Sequence, residues 1–102
     1  MDPFNAHILA HRIHHPDFFA VVPHIRFANG QTLSVQASSF HYCSPRTDDA
    51  DAYRAFEVGP ADHRVFPELR GHRGDESDPR DVHAWVPLSV LERIAARCGG
   101  VV

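Results

Sequence analysis

The clearest pattern of apolar and polar positions lies in the first half of the chain. Residues 18–27 are rich in aromatic and β-branched side chains, and residues 31–38 alternate between polar and apolar positions. The dipeptide Asn29-Gly30 separates the two runs, which is the strongest short-range signal of a β-hairpin. The pattern predicts two antiparallel strands, and the second has one buried face, formed by Leu33, Val35 and Ala37.

Two more predicted strands follow, with a long polar segment between them. Residues 53–58 (YRAFEV) and 82–86 (VHAWV) are short runs of β-forming residues. Regular alternation in the second run places His83 and Trp85 on the same face. The intervening residues 68–81 are polar and rich in glycine and charge, a composition typical of a mobile surface loop.

A C-terminal helix is predicted over residues 89–98. Ser89 and Glu92 have the spacing of a capping box, in which two side chains satisfy free N–H groups of the first turn. Gly99-Gly100 provides the stop signal. An apolar stripe at helical spacing is formed by Val90, Leu91, Ile94, Ala95 and Cys98. The fold class is therefore α+β: a small antiparallel sheet built on the hairpin at Asn29-Gly30, with one C-terminal helix packed on it.

The first 20 residues are predicted to be an N-terminal extension that is partly ordered, ahead of a single α+β domain at residues 21–102. Neither a helix nor a strand gives residues 1–20 a cleanly apolar face. A helix would place four histidines on one side, at i, i+4, i+7 and i+8: His7, His11, His14 and His15.

Composition narrows the function classes. The chain has 102 residues, 43% of them hydrophobic, and a net charge of −3 with the histidines neutral. This charge argues against general DNA binding. No apolar run is long enough to span a membrane, and no secretory signal is visible, so a cytoplasmic protein is expected. All ten basic residues are arginines, whose planar guanidinium suits phosphate, carboxylate or an aromatic face.

Arginines that lie close to aromatic residues in the sequence are the candidate ligand-binding residues. Arg26 adjoins an aromatic residue on the first hairpin strand, Tyr42 and Arg46 share the loop after the second strand, and Arg54 lies on the next predicted strand. Trp85 adds a second aromatic platform. Stacking by Tyr42 and Trp85, with guanidinium hydrogen bonds to phosphate, would hold a nucleotide. No glycine-rich phosphate loop is present, so nucleotide hydrolysis of the P-loop kind is not expected, and no cofactor is implied.

Three other kinds of site stay open at this point. Cys43 with His41 two positions away could be an activated nucleophile, although a small buried side chain at a strand end is the simpler interpretation. The N-terminal histidines could bind a metal ion, and His41 and Cys43 could add ligands, although nothing in the spacing demands such a site. The acidic segments 48–51 and 75–81 could mimic nucleic acid toward a basic partner, although such segments are usually just solvated.

Four stretches of the chain together resemble a family of small phage and prophage proteins. They are FANGQTLSVQAS, HYCSPR, YRAFEVG and the closing VPLSVLERIAARCGG, and the resemblance covers about residues 25–100. Residues 1–20 are additional to that pattern, so no role is carried onto them.

The resemblance implies a counter-defence protein, for which two classes fit. One is a non-enzymatic sponge that sequesters a nucleotide-derived immune signal, such as the cyclic ADP-ribose signals of Thoeris or a cyclic oligonucleotide. That class implies a homo-oligomer in the host bacterial cytoplasm, with arginine and aromatic residues at the subunit boundaries. The alternative is an anti-CRISPR protein, whose partner is a host defence protein and which acts by covering a surface of a Cas effector. The first class is the function expected here, with Arg26, Tyr42, Arg46, Arg54 and Trp85 as the ligand-binding residues.

Overall fold

The computed structural model describes residues 1–12, 21–75 and 77–102, and it confirms the α+β class. The elements follow in the order α1 (Pro3–His11), β1 (Ile25–Arg26), β2 (Thr32–Leu33), β3 (Val35–Gln36), β4 (Ala55–Val58), a 3-10 turn (Pro67–Leu69), β5 (His83–Pro87) and α2 (Leu88–Arg97). The strands form two antiparallel sheets: β1 pairs with β2, and β3, β4 and β5 pair in that order.

The predicted hairpin is present at Asn29-Gly30. Gly30 donates its N–H to the carbonyl of Phe27 over 2.9 Å, and the amide of Gln31 reaches the Asn29 Oδ1 at 3.0 Å. Gly30 has φ +90°, a left-handed conformation that favours glycine because it has no Cβ. The turn therefore uses both residues of the dipeptide, one for its side-chain acceptor and one for its backbone freedom.

The run predicted as one strand over residues 31–38 forms two short strands that belong to different sheets. β2 pairs with β1, whereas β3 pairs with β4, with Val35 opposite Val58. Leu33, Val35 and Ala37 are buried, as the alternation predicted. The chain thus keeps its period of two while it changes partners between Leu33 and Val35.

The strand β5 contains a bulge opposite the centre of β4. Phe56 pairs with Val86 and Val58 pairs with His83, so the single residue Glu57 faces the two residues Ala84 and Trp85. A bulge of this kind bends a strand and redirects its side chains. It breaks the regular alternation that the sequence pattern predicted for residues 82–86.

The C-terminal helix α2 forms one residue earlier than predicted, and the capping-box prediction is wrong. The helix begins at Leu88, its N-cap is Pro87, and no side chain caps its start. Instead, the N–H of Leu88 donates to the carbonyl of Arg54 over 3.0 Å, so a neighbouring segment satisfies the first N–H group of the helix. The predicted stop is confirmed, since Gly99 and Gly100 follow with φ +85° and +93°.

The N-terminal helix α1 packs into the core. Asp2 caps the helix by accepting the N–H of Asn5 at 2.8 Å. Phe4 and Ile8 are fully buried, and the Asn5 side chain bonds both main-chain groups of Tyr53, at 2.6 and 3.0 Å. This part of the expected extension is therefore built into the fold, and residues 13–20 lie outside the described residues.

One hydrophobic core joins both helices to both sheets. Its fully buried large side chains include Phe4, Ile8, Ile25, Phe27, Val35, Tyr53, Phe56, Val58, Leu69, Val86, Leu91 and Ile94. Among the described residues, neither helix has the length and hydrophobicity that a membrane-spanning helix requires.

Candidate functional site

The loop after β3 lies over the polar face of the three-stranded sheet, and this contact positions Tyr42. Glu57, which is 3% exposed, accepts the Tyr42 N–H at its Oε2 over 2.8 Å. The Tyr42 carbonyl accepts the N–H of Trp85 over 3.0 Å. Both main-chain groups of Tyr42 are therefore bonded to the sheet, one by β4 and one by β5.

The bulge in β5 orients Trp85. Because the residue lies in the bulge, its N–H leaves the ladder and reaches the Tyr42 carbonyl, and its φ is +47°. A bulky residue in this left-handed region is an outlier, at a cost on the order of 1–3 kcal/mol. The indole is nevertheless 53% exposed, with its ring centroid 5.2 Å from that of Tyr42. The fold therefore holds a strained backbone around a large side chain that solvent can reach.

A cavity of about 440 Å³ lies beside these two rings, and we call it the Trp85 cavity. Its lining consists of Tyr42, Ala84, Trp85, His72 and the neighbouring residues of the segment 71–75. That segment is fastened to the start of β5, since the Gly74 N–H donates to the Val82 carbonyl over 3.0 Å. A Cβ on Gly74 would lie 3.1 Å from that carbonyl, so the close approach of the two backbones favours glycine. The segment predicted as a surface loop thus forms one wall of the cavity.

Two guanidinium groups lie over the Tyr42 ring. The Cζ atoms of Arg46 and Arg80 are each 5.3 Å from its centroid, within the range of cation–π interactions. Arg46 also donates from Nε to the Ser39 carbonyl over 3.1 Å. Asp78, at 2.7 Å, and Glu57, at 3.4 Å, face the guanidinium of Arg80. The hydrogen bond that Arg80 donates to Asp78 raises the pKa of Arg80, so this cation persists at every physiological pH.

The structure brings together three of the five predicted ligand-binding residues: Tyr42, Arg46 and Trp85. Arg26 lies in β1 of the other sheet, where its carbonyl accepts the Val102 N–H. Arg54 lies next to β4 and uses its main chain to bond Ser44 and Leu88. Neither of these two arginines lines the Trp85 cavity.

Sequence reasoning missed the contribution of Arg73 and Arg80 to the site. Arg80 lies over Tyr42, and Arg73 lines the Trp85 cavity, where it also pairs with Asp81. Their segment, RGHRGDESDPR, holds three arginines but no phenylalanine, tyrosine or tryptophan, so adjacency in sequence did not single it out. The signal that was present is the density of arginine and glycine just before a strand that carries the only tryptophan.

A second cavity of about 270 Å³ lies beside Glu57 and is lined in part by buried polar side chains. They include Gln36 and His41, and Arg80 reaches this cavity as well. Burial lowers the pKa of His41, whose Nδ1 lies 2.6 Å from the Ser38 hydroxyl. Each of these side chains has a structural partner nearby, so the cavity is bounded by the same contacts that hold the loop over the sheet.

Cys43 has the features of a structural residue. It is 2% exposed, and its Sγ–H donates to the Ser38 carbonyl at 3.2 Å. Burial raises the pKa of the thiol, which disfavours the thiolate that a nucleophile requires. Cys98 is also buried, and both thiols are free.

Two of the four N-terminal histidines, His7 and His11, lie close together in the described part of the chain. The rings of His7 and His11 have centroids 4.5 Å apart, as expected of i and i+4 on a helix. The Nε2 of His7 is hydrogen-bonded to the Pro23 carbonyl at 2.7 Å, while His14 and His15 lie outside the described residues. In the described parts of the chain, no three His, Cys, Asp or Glu side chains are grouped so that they could hold a metal ion.

Comparison with known proteins adds no relative: no family model, no curated protein and no solved structure matches this chain. The geometry around Tyr42 and Trp85 therefore provides the structural indication of function.

Proposed function

We propose that this protein is a non-enzymatic binder of a small nucleotide-type ligand, which it captures at the Trp85 cavity. The observation that carries the proposal is the strained, half-exposed Trp85 beside the Arg-flanked Tyr42. Backbone strain is retained where the surrounding structure enforces it, and such positions cluster at binding sites. From the left-handed φ of Trp85 and the adjoining cavity, we infer that a ligand binds here.

The two chemical halves of a nucleotide match different parts of this site. A base would stack on the exposed indole, a contact worth about 1–3 kcal/mol per base. Phosphate would be held by Arg46, Arg73 and Arg80, which carry the fork-shaped donors that suit its oxygens. Arg73 and Arg80 already pair with Asp81 and Asp78, which hold their side chains in place before the ligand arrives.

The resemblance to small phage proteins favours a specific role for such binding. In that role the ligand is a nucleotide-derived immune signal of the cyclic ADP-ribose type or a cyclic oligonucleotide, and the protein sequesters it. The chain would then act as a homo-oligomer in the host cytoplasm, without a cofactor. Sequestration requires only tight binding, which is consistent with a raised rather than lowered pKa of the Cys43 thiol.

The competing anti-CRISPR role receives less support from the acidic loop. A surface that mimics nucleic acid needs carboxylates that are available to a basic partner. Asp78 and Asp81 are instead paired with Arg80 and Arg73 of the same segment, and Asp48 accepts hydrogen bonds from Ser39. These three carboxylates are therefore already engaged by partners within the chain.

Calorimetry against cyclic ADP-ribose isomers, cyclic dinucleotides and linear mononucleotides tests the proposal. Trp85 is the only tryptophan, so fluorescence during the same titrations reports directly on the site. We expect heat and indole quenching with at least one compound, and a loss of about tenfold or more in affinity for Arg46→Gln or Arg80→Gln.

Arg26→Gln is the matched control for these variants, because it removes an exposed arginine from the other sheet. It should leave the affinity unchanged. The absence of heat and of quenching with every compound would reject ligand binding. Co-elution of the chain with a Cas effector at a defined stoichiometry, in the absence of any nucleotide effect, would support the anti-CRISPR role instead.

A further inference from the structure

Two histidine rings face each other at the start of β5, and the buried one has a defined tautomer. His83 is 2% exposed, and its Nδ1 lies 3.2 Å from the Val58 carbonyl and 3.1 Å from the Gly59 carbonyl. Carbonyl oxygens only accept hydrogen bonds, so Nδ1 must carry the proton. In the neutral ring the Nε2 of His83 is then an acceptor.

The second ring, that of His63, must supply the complementary donor. The two Nε2 atoms are 2.8 Å apart, which leaves room for one hydrogen between them. A proton added to the Nδ1 of His63 keeps this hydrogen bond, because His63 still donates from Nε2. When both rings are fully protonated, however, two N–H groups and two positive charges face each other. The pair can therefore hold one added proton but not two.

The charges around His83 do not remove this constraint. Burial lowers the pKa of His83, and the two carbonyls and the Asp81 carboxylate oppose that shift. That carboxylate is held by Arg73, whose main chain bridges to His83. Since the folded pKa lies below the ordinary 6.5, the stability that the neutral ring contributes is present above about pH 6.5. It is lost as the pH falls from there through the folded pKa.

The pair joins a separate segment to the wall of the Trp85 cavity. On one side, His63 lies in a turn in which the Phe66 N–H donates to the Asp62 carbonyl over 2.8 Å. On the other side, His83 directly precedes Ala84, which lines the cavity. A single peptide bond therefore separates the histidine pair from a residue that lines the cavity.

We propose that the His63–His83 pair is a proton-sensitive latch, which holds the turn at residues 62–66 against β5 and releases it when both rings are protonated. The latch itself follows from the geometry of the two rings. Its effect on ligand affinity rests on the proposed function, in that release loosens one wall of the Trp85 cavity and weakens binding in acid.

Imidazole nitrogen NMR of the ligand-free protein, titrated between about pH 8 and about pH 5, tests the latch directly. We expect His83 in the Nδ1–H form and His63 in the Nε2–H form at the upper end. We also expect His83 to take its proton below 6.5. An Nε2–H form of His83, or protonation of His83 at or above 6.5, would overturn the proposal.

Hydrogen exchange at the Phe66 amide, corrected for the intrinsic rate, measures release of the turn. Protection should fall by about tenfold or more in acid in the wild type. His63→Gln should retain protection, because an amide can either donate to or accept from His83 without titrating. His24→Gln, which removes an exposed histidine outside the pair, should behave as the wild type. Equal acid sensitivity of the His63→Gln variant would refute the latch.

Ligand titrations at the same pH values separate the two proposals. A latch that titrates as expected in a chain that binds no nucleotide leaves the latch standing and rejects the proposed function. Binding whose affinity is the same in acid for the wild type and His63→Gln rejects the regulatory link.

Discussion

The two faces of the β3–β4 pair are both buried, but by different chemistry. On one face Val35, Phe56 and Val58 are 0% exposed within the apolar core. On the other face Gln36 and Glu57 are 6% and 3% exposed. They are covered by the main chain of other segments, with which their side chains form hydrogen bonds. The hydrophobic effect does not depend on the direction of a contact, whereas each buried hydrogen bond requires one partner atom in a defined geometry. The first face therefore supplies stability, and the second determines where the covering segments lie.

The polar face shows this in two contacts. The Gln36 side chain accepts the N–H of Val22 at 2.8 Å and donates to its carbonyl at 2.9 Å, as a neighbouring strand would. Glu57 holds the N–H of Tyr42 and also faces Arg80. The buried polar side chains thus form the hydrogen bonds to main-chain groups that a neighbouring strand would otherwise form. The contact between Glu57 and Tyr42 also positions the candidate site.

The largest effect should come from the apolar face. Phe56→Ala deletes a fully buried ring and should lower the free energy of unfolding by about 3–5 kcal/mol. For a single domain of this size, that is a large part of the total stability. Urea denaturation measures it, and Phe40→Ala, at a side chain 48% exposed, should cost clearly less. Equal costs at the two positions would mean that the apolar face is not the main source of stability.

An intermediate effect is expected on the polar face. Glu57→Ala removes the acceptor of the Tyr42 N–H and should cost about 1–3 kcal/mol, because a buried donor loses its partner. Glu57→Gln keeps a carbonyl acceptor and should cost less in unfolding free energy. If the glutamine variant is as unstable as the alanine variant, the ion pair with Arg80 matters more than the hydrogen bond to Tyr42.

A smaller effect is expected at Trp85, where the usual order of stability between an alanine and a glycine variant should be reversed. Alanine and glycine both remove the indole, but only glycine adopts φ +47° without strain from a Cβ. Trp85→Gly should therefore be more stable than Trp85→Ala by about 1 kcal/mol, the reverse of the usual order within a strand. Parallel thermal and urea unfolding of the two variants measures the difference. A more stable alanine variant would contradict the strained bulge.

The smallest effect should come from an ion pair outside the comparison. Arg97 and Glu68 join α2 to the 3-10 turn, with Nε and Oε2 2.6 Å apart. The hydrogen bond from Arg97 lowers the pKa of Glu68, so the contribution of this pair is present above about pH 4.5 and is lost as the pH falls below it. Because the Arg97 side chain is 44% exposed, Arg97→Gln should cost no more than about 1 kcal/mol. A larger loss that persists in high salt would show that the pair is shielded from solvent.

Local sequence patterns correctly predicted the features whose conformation depends on the residues at that position. The hairpin at Asn29-Gly30 and the glycines after α2 were predicted because φ > 0 in a turn or a helix end depends on the residue itself. The start of α2 was missed because its first N–H is satisfied by Arg54, a residue more than 30 positions away. The alternation in residues 31–38 predicts that their polar side faces solvent. Gln36 is nevertheless buried, because it bonds the main chain of Val22, and no local pattern indicated that contact.

The candidate site divides in the same way. Tyr42 and Arg46 were found together because they are close in sequence, and Trp85 was selected as the second aromatic platform. Arg80 and Arg73 were missed, and Arg26 and Arg54 were grouped with the site although neither lies over the Tyr42 ring or lines the cavity. Sequence adjacency does not report side-chain direction across a bulge or a change of sheet.

Local sequence patterns are sufficient to predict the α+β class, the hairpin turn, the C-terminal helix with its glycine stop, and the residue types available for ligand binding. Those features depend on backbone propensity and on short-range hydrophobic periodicity, which the chain carries locally. Tertiary contacts were needed to create the bulge opposite Glu57 that turns Trp85 toward Tyr42, and to place residues 71–75 and Arg80 beside these rings. These placements depend on hydrogen bonds between segments far apart in the chain, whose pairing is selected when the whole core and its polar cover form together.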